Sequence, residues 1–147
     1  MRAHVRPAHR LGPRRWALLP AAILVLALSG LAAGCSSSKP AYCTDASQLK
    51  TDVQNLGNVD VAKDGLGSLQ TALSKVQADA KTFAADAKSA FPSQTTALDT
   101  ALSGLQTAIT SAKGQPAVTA ATAVATSVVQ VKNSASNLQN AISSSCQ

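Results

Sequence analysis

Residues 66–92 read LGSLQTALSKVQADAKTFAADAKSAFP. Leu66, Leu69, Leu73, Val76, Ala80, Phe83 and Ala87 recur at alternating steps of three and four, which gathers them on one stripe of an α-helix; a half-buried strand would alternate every second residue. The intervening positions are charged, polar or small, so the stripe is narrow, as in helices that pack like coiled coils. Pro92 has no backbone N–H and disfavours helix at the residue before it. The spacing therefore predicts a helix over residues 64–90.

The same rule reads outward in both directions. Ala46, Leu49, Val53 and Leu56 mark a shorter helix over 45–57, with Asp45 and Gln48 spaced as a capping box and Gly57-Asn58 as its end. Leu98, Leu102, Leu105, Ile109 and Ala112 mark a third over 93–113, closed by Gly114 ahead of Pro116. Ala117, Ala121, Val124, Val128, Val131, Ala135, Leu138 and Ile142 mark a fourth over 116–144. Val and Thr between Val118 and Val131 would also suit a strand, but unbroken helical phase outweighs that propensity. LGSLQTAL (66–73), LSGLQTAI (102–109) and LQNAI (138–142) echo one another. A duplicated helix and a shared heptad both account for the echo, and the second is favoured because an Ala/Ser/Thr/Gln-biased alphabet gives such matches by chance; no solenoid signature accompanies the period.

Upstream stands Leu31-Ala32-Ala33-Gly34-Cys35, which resembles the lipobox of bacterial lipoprotein precursors. Its context agrees. Arg2, Arg6, Arg10, Arg14 and Arg15 form a basic leader, and Trp16 to Ala33 is apolar except for Pro20, Ser29 and Gly30. The chain departs from the family pattern in having Ala32 where Leu is preferred, with Leu31 one place earlier. The resemblance implies that residues 1–34 are a signal peptide that is removed, and that Cys35 then begins the mature chain and carries acyl chains such as palmitate. It implies export and anchoring to the outer face of the cell membrane, within the cell envelope. An uncleaved transmembrane anchor is the competing reading, since the 18 residues from Trp16 to Ala33 just suffice for a core of about 30 Å; Pro20, Gly30 and Cys35 fit cleavage better. Arg14-Arg15-Trp16-Ala17-Leu18 also resembles a twin-arginine signal, so two export routes stay open, with general secretion favoured.

Without the leader, 113 residues remain, enough for one domain with a core of its own. All five arginines leave with the signal; eight Lys against seven Asp and no Glu leave a net charge of +1. The basic character of the whole sequence belongs to the leader, so no nucleic-acid partner is expected. Residues 35–42, including a Ser-Lys-Pro stretch, form a lipidated tether, and residues 43–147 form the bundle domain. This body looks similar to small helical lipoproteins of actinobacteria, which implies location and no particular activity.

Cys43 and Cys146 lie near the two ends of the mature chain. In an oxidising compartment an even pair of thiols is expected to form a disulfide; a metal site would need further ligands, and the only histidines, His4 and His9, precede Cys35. A bridge requires Cα atoms within about 7 Å. A three-helix arrangement would put the two cysteines at opposite ends, whereas an up-down-up-down four-helix bundle puts the start of the first helix beside the end of the fourth. The expected fold is therefore all-α: a four-helix bundle with a short first helix, closed by one disulfide.

Catalysis is not expected. After Cys35 there is no His, Glu, Arg or Trp, and Tyr42 is the single Tyr. A serine nucleophile would need a base, and the Asp and Lys available, such as Asp79, Asp86 and Lys75, flank the apolar stripe where solvated charges normally sit. No cofactor is expected either, since Met1 is the lone methionine for a haem. Two functions remain. One is a structural or interaction module that binds an envelope protein or wall polymer through a helix face; the other is a carrier of an apolar ligand such as a lipid between helices. Helix one, spanning roughly 20 Å against roughly 40 Å for helices two and four, leaves a groove uncovered at the end away from the membrane. Its expected lining is Leu66, Leu69, Ile109, Val118 and Ala121. The connection from Gly57 to Asp64, carrying Val59 and Val61, either packs over that groove permanently or opens to admit a ligand or a partner's helix.

Overall fold

A computed structural model describes residues 39–147. Four helices follow in order: α1 (Ala41–Gly57), α2 (Val61–Ala87), α3 (Pro92–Ala112) and α4 (Ala117–Ile142), the last running into a short 3-10 turn, Ser143–Ser145. Leu49, Leu56, Leu69, Leu73, Val76, Phe83, Leu105, Ile109, Val124 and Val131 are buried in one continuous core. Every buried residue of that core lies between Ala46 and Ile142, so the body carries its own hydrophobic interior.

Aromatic contacts and a disulfide define the topology. Tyr42, in the first turn of α1, makes edge contacts with Phe83 late in α2 (6.3 Å) and with Phe91 ahead of α3 (5.6 Å). Cys43 is bridged to Cys146, beyond the end of α4, with Cα atoms 5.6 Å apart. The start of α1, the end of α2, the start of α3 and the end of α4 thus meet at one end of the molecule. That is the up-down-up-down arrangement the cysteines imply.

Helix boundaries differ from the sequence expectation in instructive places. α1 begins at Ala41, four residues early, so Ala41 and Tyr42 belong to the helix and not to the tether, and Cys43 lies in its first turn. Pro40 opens it because a proline at a helix start forfeits only a hydrogen bond that the first turn cannot make. The expected capping box of Asp45 and Gln48 is not formed; Gln48 instead donates to Asp52, one turn further on. Only Asn58–Asp60 separate α1 from α2. Asp60 caps the next turn by accepting from the amides of Ala62 and Lys63 (3.1 and 3.2 Å), and Asp64 accepts in return from the Asp60 amide (3.3 Å). At Gly65, with φ +79°, the backbone leaves the helix, and the long regular part of α2 starts at Leu66. α2 ends at Ala87 and not at 90, since the Phe91 and Ala90 amides both turn back to the Ala87 carbonyl before Pro92 begins α3. Gly114, at φ +81°, closes the turn after α3 as expected.

Candidate functional site

Cys35, expected to carry the lipid, lies outside the described residues, as do the leader arginines and the apolar run before it. Among the described residues no helix is long and apolar enough to cross a membrane.

The five side chains expected to line a distal groove do not share one open surface. Leu69 and Ile109 are fully buried, Leu66 and Ala121 are half-buried against the core, and Val118 is 73% exposed. α1, about 25 Å for 17 residues, gains its extra turn at the disulfide end and stops at Gly57 as expected, so it covers no more of the distal end of α2. The remainder is covered by the Asn58–Gly65 segment: Val61 belongs to the buried core and Val59 packs half-buried beside it. This connection is a capped helical turn seated on the bundle.

A groove opens elsewhere, between α2 and α3 near the disulfide end, with a volume of about 420 Å³. Its walls are thin for a local reason. Ala80 and Ala84 face it from α2, while Thr95, on α3, turns its hydroxyl back to the Phe91 and Pro92 carbonyls (both 3.0 Å) and does not reach across. Phe83, Leu98 and Leu102 lie beneath it with almost no surface of their own exposed. Lys81 and Lys88 stand on the α2 side, with Asp99 opposite. Sequence reading placed Ala80 and Phe83 on a continuous stripe and gave no sign of this seam. It arises where two small residues occupy successive turns, a pattern common throughout so Ala-rich a chain.

The buried carboxylates were also unforeseen. Asp52, on α1, is only 5% exposed. It accepts from Gln48 and Asn55 of its own helix, each at 3.4 Å. Asp79, on α2, was expected among solvated charges; instead it is half-buried beside the Asp52 carboxyl, with its Oδ2 shielded from solvent and no donor in reach. Burial, the hydrogen bond to Asp52 and its negative charge raise the Asp79 carboxyl above the usual carboxylate range. Asp52 is lowered, chiefly by the hydrogen bond from Asp79 and against its own burial. The stripe rule missed both because it assigns charged residues to water by default.

No protein family model, curated protein or solved structure matches this chain.

Proposed function

We propose that this chain is a lipoprotein of the bacterial cell envelope, held on the outer face of the membrane through acylated Cys35, and that its bundle is a non-catalytic interaction module. The observation that carries the reading is the Cys43–Cys146 bridge, because disulfides persist in the oxidising compartments that an exported chain enters. It agrees with the lipobox-like LAAGC at residues 31–35. The module's partner on this reading is an envelope protein or wall polymer, and α4 offers a face for it. Val118 and Val129, 73% and 53% exposed, are eleven residues apart, about three turns, and so lie on one side of the helix. Lone exposed apolar residues are ordinary on any surface; two aligned on one helix give a partner a defined strip.

Cys35→Ala tests the anchoring. Export of the wild-type chain should yield a membrane-bound protein whose first residue is a Cys35 bearing at least two acyl chains, since one alone anchors only marginally. The variant should appear in the soluble envelope fraction or the medium. Continued membrane retention of the variant with residues 1–34 still attached would replace this reading with a transmembrane anchor.

A further inference from the structure

Of the seven aspartates in this chain, Asp64 alone is followed by glycine; Ala, Val or Thr follows the other six. A side chain on the following residue shields its backbone nitrogen from the aspartyl carboxyl, and glycine has none. The fold removes further protection. At Gly65 the backbone leaves the helix with φ +79° and ψ 166°, whereas Asp45, Asp52, Asp79, Asp86 and Asp99 stand in unbroken helix. Asp64 is exposed, and a Cβ built at Gly65 would meet nothing within 4 Å, so a ring has room to form on this bond. The Asp64 carboxyl is held by a long hydrogen bond, 3.3 Å from the Asp60 amide, while the Ser68 hydroxyl donates to the Asp64 main-chain carbonyl at 2.9 Å. That donor polarises the peptide group whose nitrogen must give up its proton.

We propose that the Asp64–Gly65 bond is a site of spontaneous backbone isomerisation, at which Asp64 becomes isoaspartate and the turn from Asp60 to Asp64 is released from the bundle. The Gly65 nitrogen bonds to Cγ of the protonated Asp64 carboxyl, whose hydroxyl leaves as water with the nitrogen's proton, and a cyclic imide joins the two residues. Water then adds at the former main-chain carbonyl carbon, the bond from that carbon to nitrogen breaks, and a free α-carboxylate remains. The water lost is regained, so solvent is the only reagent. The chain now runs through Cγ and is longer by one methylene carbon, and the carboxylate no longer stands where the Asp60 amide donates. Because Asp60 and Asp64 cap this turn reciprocally, Val59 and Val61 lose the turn that seats them on the core. The reaction does not depend on how the protein is anchored.

The disulfide-closed chain from Ser36 onward, which contains the entire core, tests this when aged for weeks in neutral buffer made with heavy-oxygen water. A protease that cuts before aspartate should lose its cut at Asp64 while keeping those at Asp60 and Asp79, and the peptide that carries Asp64 should gain one heavy oxygen. Asp64→Glu keeps the charge but needs a larger, slower-forming ring, so its peptide should gain none. In the converted wild-type chain the amides of Val61, Ala62 and Lys63 should exchange faster, with α3 and α4 unchanged. A wild-type chain that keeps its cut at Asp64 and takes up no heavy oxygen there would overturn the proposal, as would equal uptake by Asp64→Glu. Unchanged exchange from Val61 to Lys63 after conversion would overturn the release of the turn.

Discussion

At the scale of single residues, the sharpest feature is the pairing of the Asp52 and Asp79 carboxyls, whose titrations are pushed in opposite directions and make stability depend on pH in two ways. Asp79 is raised, so the stability it contributes is complete below the ordinary carboxylate value and is lost as pH rises through its elevated folded value. Asp52 is lowered, so its contribution is present above the ordinary value and is lost as pH falls through its depressed folded value. The pair is therefore most favourable while it holds one proton, and above that window α1 and α2 face each other with two carboxylates. Lys75 attracts both, while Asp45 adds a further repulsion on Asp79. Asp79→Asn replaces the titrating donor with an amide that donates to Asp52 at every pH. Urea unfolding should find this variant more stable than wild type at pH 7 by about 1 kcal/mol, the typical cost of a buried unsatisfied acceptor, with the advantage shrinking towards acid. A variant equally stable to wild type across pH 4–8 would remove the coupling of the two carboxyls from the account.

At the scale of elements, two glycines in the same stretch have opposite roles. Gly65 has φ +79°, and an added Cβ there would meet nothing within 4 Å, so the cost of a side chain is purely conformational. Gly65→Ala should destabilise by about 1–2 kcal/mol through the left-handed backbone alone. Gly67 sits two residues on, inside regular helix and equally open; Gly67→Ala should stabilise by roughly 0.5–1 kcal/mol. Thermal melts of the two single variants should shift in opposite directions, and a shift of the same sign would contradict the break at Gly65. This break marks where periodicity stopped being informative. Apart from the half-buried Ala80, the stripe from Leu69 to Ala87 and that from Leu98 to Ala112 are buried where spacing put them, because a residue every three or four positions has only one face on which to gather. At the start of α4 the pattern slipped, since Ala117 is exposed and Ala120 is buried instead: alanine is small enough to sit in either place, so it carries little phase information. The turn from Val61 to Asp64 was hidden by its own composition, as Asp and Gly read equally as a loop or as a cap and a break. The α2–α3 groove and the Asp52–Asp79 contact were not legible at all. Both depend on which faces of two helices meet, and that is decided by the assembled bundle.

At the scale of the whole molecule, the helices are held by a modest core and one long covalent closure. Their flanks are rich in Ser and Thr whose hydroxyls donate to carbonyls one turn earlier, as Thr71, Thr100, Thr107 and Thr122 do at 2.9–3.0 Å. These bonds satisfy the hydroxyls locally and contribute little to holding one helix on another. Association between helices therefore rests on the apolar stripe, in which Phe83 is the one fully buried large ring among the described residues, and on the bridge. Cys43 and Cys146 are 103 residues apart, a closure for which chain-entropy arguments give about 4–5 kcal/mol. Strain and residual structure in the unfolded chain reduce such values, so Cys43→Ala with Cys146→Ala should lower stability by about 3–4 kcal/mol. The loss should not be felt evenly. α1 is the shortest helix, and its first turn is fixed to the rest by the bridge and by Tyr42 against Phe83 and Phe91, so its amides near Cys43 should exchange faster than those of α3 and α4 once the bridge is gone. Far-UV circular dichroism should keep nearly its full helical signal, because the stripe that pairs the helices is intact. A bridge-free chain that loses its helicity outright at 25 °C would mean that the core cannot hold the four helices together unaided; one that melts at the wild-type temperature would mean that the unfolded chain is already compact enough to keep its ends close.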